Sequence, residues 1–209
     1  MTDTIRLDSN STRKSAAHRV ANGKVIGYLT DTFYGLGANP HDACAVDEIH
    51  RLKGSVKGKP ILVLIGETDV AEQFVQRRSE NFRLLAQHFW AGELTIVEKA
   101  KSSLPNSLCS INGTIGLRYP QIAEVRRIVM ACGGSLTATS ANPAGAAPAK
   151  SAVEVIGYFE DRISLVVDGG TAQRDQPSTI VDVSSGVVRL IREGVIKRRE
   201  IEEVVQLHL

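Results

Sequence analysis

Apolar positions along the chain follow two rhythms. Short apolar runs occur at 25–29, 61–65, 94–98, 114–118, 136–138, 164–167, 179–183 and 187–191, and each reads as a β-strand. Between them the apolar residues recur every three or four positions. Ala43, Val46, Ile49 and Leu52 share one face of a helix over 43–52, with Gly54 just past its end as a stop. Helical patterns also cover 11–22, halted by Gly23, then 70–75, 80–89, 125–132, closed by Gly133 and Gly134, and 151–158. A polar amphipathic helix over 197–207 ends the pattern. Helices and strands alternate early and strands adjoin late, which predicts an α/β domain with a mixed sheet. No internal repeat appears, and the Ala/Pro/Gly stretch at 143–148 is too short to link two domains, so the reading is one domain over 1–209.

Composition narrows the class. Of 209 residues, 43% are hydrophobic and 23% charged, the balance of a folded globular chain. At this size about 70% of the unfolded surface can be buried without the help of a disulfide or a metal. No apolar run nears the roughly 20 residues that span a bilayer, and the first twenty residues lack an apolar signal core, which together predict a cytoplasmic protein away from membranes. Cys44, Cys109 and Cys132 are few and far apart and read as reduced thiols; no Cys/His pair has zinc-ligand spacing. A net charge of +2 demands no nucleic-acid partner but permits a local positive cavity for an anion.

Candidate chemistry lies in polar loops at strand ends, where open α/β sheets bind ligands. The segment 30–37, TDTFYGLG, sets hydroxyls and a carboxylate after a strand, in what reads as a glycine-bearing turn. The basic segment 53–60, KGSVKGKP, could hold phosphate or carboxylate, although it lacks Walker spacing. In the segment 139–145, Thr139, Ser140 and Asn142 can converge on a triphosphate. Ser178, Arg189 and Arg192 sit by the last strands, where an arginine fork would suit phosphate. Taken singly, each loop also fits an ordinary connection or a solvated turn.

In order along the chain, the segments YLTDTFYGLGANP, RLKGSVKGKPILVLI, FWAGELTIV, GLRYP, TATSANPAG, DGG, PSTIVDV and RLIREG resemble the YrdC-like family, which includes bacterial threonylcarbamoyl-AMP synthases. The likeness runs over 23–194 and includes no additional C-terminal domain. It implies an α/β fold with a twisted mixed parallel and antiparallel sheet, flanked by helices, around a large positively lined cavity. It also implies a reaction: L-threonine, bicarbonate or CO2, and ATP yield L-threonylcarbamoyladenylate and pyrophosphate. The adenylate then passes to a tRNA threonylcarbamoyl-transferase complex that modifies the adenosine beside the anticodon.

Residue by residue, the resemblance assigns Thr30 to threonine and Lys53 to its carboxylate; Thr32, beside Thr30, and Lys57, beyond Ser55, are further candidates for binding threonine. It assigns Lys53, Arg118, Thr139, Ser140, Asn142, Ser178 and Arg192 to the nucleotide, and it gives Lys53, Ser140 and Asn142 the central catalytic place. No protein ligand for a metal is implied; Mg2+ would arrive on the ATP phosphates. The chain departs from the family pattern at several positions. Ser55 replaces the arginine of a Lys-x-Arg motif, Val56 replaces the following proline, Leu29 replaces a proline, and Ala91 and Glu93 replace two more. Serine cannot form a bidentate clamp, and Lys57 is the candidate to reach the same anion. Two other readings stay open: a non-catalytic module that binds double-stranded RNA or tRNA, and a paralogue that adenylates a different carbamate. An aromatic content of 5% and the lack of a long basic stripe count against the first.

Overall fold

The computed structural model describes residues 2–6, 10–54 and 59–208. Among these the strands are β1 (Asp3–Arg6), β2 (Ile26–Leu29), β3 (Tyr34–Gly37), β4 (Val63–Ile65), β5 (Leu94–Lys99), β6 (Thr114–Arg118), β7 (Ser135–Thr137), β8 (Thr139–Ser140), β9 (Leu165–Asp168), β10 (Thr179–Asp182) and β11 (Arg189–Arg192). The helices are α1 (Asn10–Ala21), α2 (Ala43–Lys53), α3 (Glu80–Phe89), α4 (Ala123–Ala131), α5 (Ala152–Phe159) and α6 (Arg198–Glu202), with 3-10 turns at Thr68–Gln73 and Glu160–Arg162.

The mixed α/β architecture is the one expected, divided between two sheets. Among the described residues the first runs β1-β9-β2-β3-β8 and the second β11-β10-β5-β6-β4-β7. Both sheets are mixed: β9 is parallel to β1 and β2, β3 is antiparallel to β2 and β8, and β5 is parallel to β10 but antiparallel to β6. The sheets meet where β7 becomes β8. Thr137 N donates to Ala38 O (3.0 Å) and Ala138 N to Leu62 O (2.7 Å), so one extended segment leaves the second sheet and joins the first. This switch places Thr139 and Ser140 opposite Leu36 and Gly35.

Two apolar clusters hold the layers together. The larger is built from α2, α3, α5 and the strands they cover; the smaller lies under α1 and α4, with Ala16, Val20, Val125, Ile128 and Val129 against Ile26, Tyr28, Leu64 and Leu136. Helix α2 starts on Asp42, whose Oδ1 accepts from Cys44 N (3.0 Å) and Ala45 N (3.2 Å), and it ends on Gly54 at φ 60°. Its buried face is Ala45, Val46, Ile49, Leu52 and Lys53; Ala45 takes the place expected of Ala43.

Several expectations need correction. The polar turn assigned to 30–37 is a turn only at 30–33; Tyr34 to Gly37 return as β3. The glycines that suggested a turn serve close packing instead: a Cβ on Gly37 would lie 2.7 Å from the Tyr28 ring and 2.9 Å from Leu136. Strand β1 was not anticipated, because its apolar content is a single Ile5; its pairing with β9 makes it a strand. The segment near 70–75 forms a 3-10 turn rather than an α-helix, and the closing helix shrinks to Arg198–Glu202. Beyond that helix, His208 N donates to Val188 O (2.8 Å), and this contact keeps the tail extended.

Candidate functional site

The first half of the site forms where the β2–β3 turn, the end of α2 and the β8 loop meet. Thr30 N and Thr30 Oγ1 both donate to Phe33 O (3.1 and 2.7 Å), and Thr32 N donates to Thr30 Oγ1 (3.3 Å). Thr30, Asp31 and Thr32 are all buried, unusual for a hairpin turn and consistent with its being covered by neighbouring loops. Gly35 lets β8 come close: a Cβ there would lie 3.4 Å from both Thr139 O and the Thr30 methyl.

Lys53, the last residue of α2, is 7% exposed. Its Nζ donates to Ser140 O and to Asn142 O (2.8 Å), and its own carbonyl accepts from Ala144 N (2.7 Å). The lysine therefore braces the Ser140–Asn142 loop. Burial, and then the nearby charge of Lys59, pulls its pKa down to about 8. Asn142 spends its amide on Pro143 O (3.0 Å) and Ala146 O (2.7 Å), while its Oδ1 is buried without a partner.

The second half lies across the strand ends of the second sheet. Ile96 pairs with Leu117, Thr95 with Ile180, and Ile180 with Arg192, so Arg118, Thr95 and Arg192 fall in one cross-strand row. Arg192 donates to Ser178 O through Nε (3.1 Å) and Nη2 (2.8 Å), and through Nη2 to Ser178 Oγ (3.3 Å). Ser178 Oγ in turn bonds Thr95 Oγ1 (3.0 Å). Arg118 is 2% exposed, and its Nε has no partner. Burial depresses its pKa, opposed by the charge of Asp31, by Tyr28 and by Glu93. Desolvation and the like charge of Arg118 lower that of Arg192.

The halves are contiguous. Asp31 Oδ2 accepts from Gln121 N (2.9 Å) and Oδ1 from Ile122 N (3.0 Å), directly after Arg118's strand. Lys53 is thus tied to the Ser140–Asn142 loop, and Asp31 to the segment that follows Arg118's strand, while the charge of Asp31 is felt at Arg118 and that of Arg118 at Arg192. Lys57 and Ser55 lie outside the described residues.

Sequence reasoning missed four participants. Asp31 was noted only as a carboxylate in the loop, yet it bonds across to the other sheet. Thr95 reads as an ordinary strand residue; only the strand pairing places it by Ser178. Glu93 stood out as a departure from the family pattern, and its carboxylate, 11% exposed, holds Arg174 at 3.0 Å. Gly194 lies in the RLIREG segment, and its requirement is steric: a Cβ there would sit 2.1 Å from Pro177 O, while its N–H donates to Thr179 Oγ1 (3.0 Å). A larger residue would push Ser178 away from Arg192.

Comparison with known proteins bears on this arrangement. A threonylcarbamoyl-AMP synthase of Thiobacillus denitrificans is 33% identical over 166 residues, covering 79% of this chain and 88% of the relative. One of Pyrococcus abyssi is 30% identical over 190 residues, covering 91% of this chain but only 56% of the relative; the chain spans about half the length of that protein. The structure of P. abyssi Sua5 complexed with L-threonine superposes with a TM-score of 0.92 at 28% identity, over 100% of this chain and 62% of that one. No helix among the described residues is long and apolar enough to cross a membrane. The family model described as "Telomere recombination" matches residues 18–194, a span that holds every site residue from Thr30 to Arg192. The chain belongs to the Sua5/YciO/YrdC family.

Proposed function

We propose that the chain is a threonylcarbamoyl-AMP synthase, acting on L-threonine, bicarbonate or CO2, and ATP. The reading rests above all on Arg118, a buried guanidinium whose Nε lacks a partner and whose neighbour is a second arginine. A guanidinium out of water with an unpaired N–H, in the same cross-strand row as a second arginine, calls for an anion. The triphosphate of ATP supplies it, with Mg2+ carried on the phosphates. The unpartnered Oδ1 of buried Asn142 accepts from a ligand on the other side. The names of the relatives, and the threonine bound in P. abyssi Sua5, support the amino-acid half.

In this reading the Thr30–Thr32 turn seats threonine. Its amino group, having taken up CO2, is a carbamate. A carbamate oxygen attacks the α-phosphorus; the new C–O–P bond forms as the bond to the β-phosphate breaks, and pyrophosphate leaves. Forming the carbamate from the ammonium and CO2 releases two protons to solvent; the carbamate is then anionic, so its attack on phosphorus needs no general base. Arg118 and Arg192 neutralise charge that builds on the phosphates. Lys53, charged below about pH 8, keeps the Ser140–Asn142 loop shaped for them. The adenylate would then pass to a transferase that modifies tRNA.

The test is incubation with ATP, Mg2+, bicarbonate and each amino acid in turn, with mass detection of the adenylate. Threonine alone should give product and pyrophosphate in equal amounts. Product with another amino acid would point to a paralogue with a different substrate. Absence of any adenylate, with salt-sensitive tRNA binding, would replace the enzyme by an RNA-binding module.

A further inference from the structure

In the proposed reaction the amino-acid turn and the arginine that meets the phosphates lie on different sheets, and something must fix the distance between them. The amino-acid turn belongs to the first sheet; Arg118 ends a strand of the second. Among the described residues, the hydrogen bonds that tie this turn to the 118–122 segment are both accepted by one carboxylate, that of Asp31. Asp31 is 8% exposed and lies between Thr30 and Thr32. Its two oxygens divide the work, Oδ2 taking Gln121 N and Oδ1 taking Ile122 N.

These donors occupy a telling place. Ile122 is the N-cap residue of α4, and its own side chain caps nothing. Asp31 accepts from the N–H of this N-cap residue and from that of the residue before it, at the end of the helix that favours negative charge. The segment it grips is held from other sides as well. Gly92 N donates to Tyr119 O (2.9 Å), and Arg126 Nη1 reaches Pro120 O and Gln121 O (both 2.6 Å) while its guanidinium lies over the Tyr119 ring. Arg118 is thus the last residue before a rigid corner, and Asp31 connects that corner to the threonine turn.

We propose that Asp31 is a positioning residue: it sets the separation and orientation between the amino-acid turn and Arg118 and does not itself touch either substrate. The inference rests on the synthase reading above. It differs from a purely structural role in what it predicts. The threonine turn and Arg118 are each fixed by their own sheet, so each should survive the loss of the link. What should fail is their mutual alignment, and misplacing reacting groups by about 1 Å costs about 10²-fold in rate.

The experiment compares wild type with Asp31→Asn, which keeps an acceptor but loses the charge and half the fork. Threonine and a non-hydrolysable ATP analogue are titrated separately by calorimetry, and threonine-dependent pyrophosphate release is measured at saturation. The expected result is a kcat about 10²-fold lower per folded molecule, with both separate binding constants within about threefold of wild type. A second variant, Ile122→Pro, removes one donor while leaving Asp31 charged; its φ of −70° suits proline. A smaller kcat loss of about tenfold, again with binding preserved, is expected there. The proposal is overturned if kcat per folded molecule stays near wild type in Asp31→Asn, or, where that variant does not fold, in Ile122→Pro. It is also overturned if threonine binding alone falls with kcat, because Asp31 would then contact the amino acid. A wild-type protein that releases no pyrophosphate with any amino acid would sink the synthase reading, a separate result from either.

Discussion

The two halves of the site treat their cations in opposite ways. Lys53 is fully engaged with its own protein, its ammonium spread over the carbonyls of Ser140 and Asn142. Arg118, more deeply buried, has an Nε with nothing to donate to. The first arrangement is that of a brace; in the second a buried N–H is left without an acceptor in the fold. Stripping the partner from a buried charge is costly, and a buried cation with an unpaired N–H lowers stability; in the proposed reading the nucleotide supplies the partner that Arg118 lacks. In the proposed reading the contrast separates a cation that shapes the site from one that meets the phosphates, and it can be broken by substitution.

The largest effect belongs to Arg118. In Arg118→Met the buried charge disappears while much of the apolar stem remains. Activity as kcat/KM for ATP should fall about 10³-fold, the scale of losing a preorganised charge at a developing anion. Thermal stability should hold or rise, since a buried cation with an unpaired N–H is replaced by an apolar chain. Calorimetric melting alongside pyrophosphate release checks both. A collapsed melting temperature with normal turnover in the surviving fraction would make Arg118 another brace and erase the distinction.

Lys53→Met should behave in the reverse sense. It strips the donor from two loop carbonyls, at a cost of about 2 kcal/mol of unfolding free energy in a denaturant titration. Activity should fall by about 10- to 10²-fold, through a loosened Ser140–Asn142 loop. The ratio of stability loss to activity loss separates the two cations more sharply than either number alone.

Much of this was readable in the sequence, for different reasons in different places. The strand at 114–118 announces itself because both its faces are buried around Ile115 and Leu117, and that at 179–183 through Ile180, Val181 and Val183, although one face is only half-buried. Strand β1 did not, because burial arrives only with its neighbour β9. Strand β3 was hidden by its glycines, which read as turn formers while Gly37 in fact makes room for Tyr28. Among site residues, Thr30, Lys53, Arg118, Ser140, Asn142, Ser178 and Arg192 were named from motif likeness; their adjacency came from the pairing of strands and the switch between β7 and β8. The brace role of Lys53 was not legible, because backbone carbonyls leave no mark in a sequence. Neither was the reach of Asp31, whose partners are 90 and 91 residues away.

A smaller effect lies in pH. The Lys53 pKa is about 8 in the folded protein against an ordinary value near 10.5. Between those values the unfolded chain holds the extra proton, so this group makes stability rise as pH climbs from about 8 to about 10.5. Below pH 8 both states are protonated and its contribution is flat. Denaturant midpoints across pH 7 to 10 should therefore climb more in wild type than in Lys53→Met. Arg118 and Arg192 stay charged over that range, so Arg118→Met should track wild type. Parallel curves for wild type and Lys53→Met would mean that the lysine is far better solvated than its burial indicates.

The smallest expected effect tests the engaged side of the arginine half. Arg192 is held mainly by the Ser178 carbonyl, at 2.8 and 3.1 Å, and only weakly by its hydroxyl at 3.3 Å. Ser178→Ala removes the hydroxyl and leaves the carbonyl, so Arg192 should keep its place. The loss is one hydrogen bond of about 1 kcal/mol, or about a fivefold rise in KM for ATP with kcat unchanged. Thr95→Val removes the other partner of the same hydroxyl and should cost a similar amount. Because the two share one bond, the double variant should cost less than the sum of the singles. A Ser178→Ala loss above about 10²-fold would show that the hydroxyl meets the nucleotide itself, and that Arg192, like Lys53, is there to hold the frame.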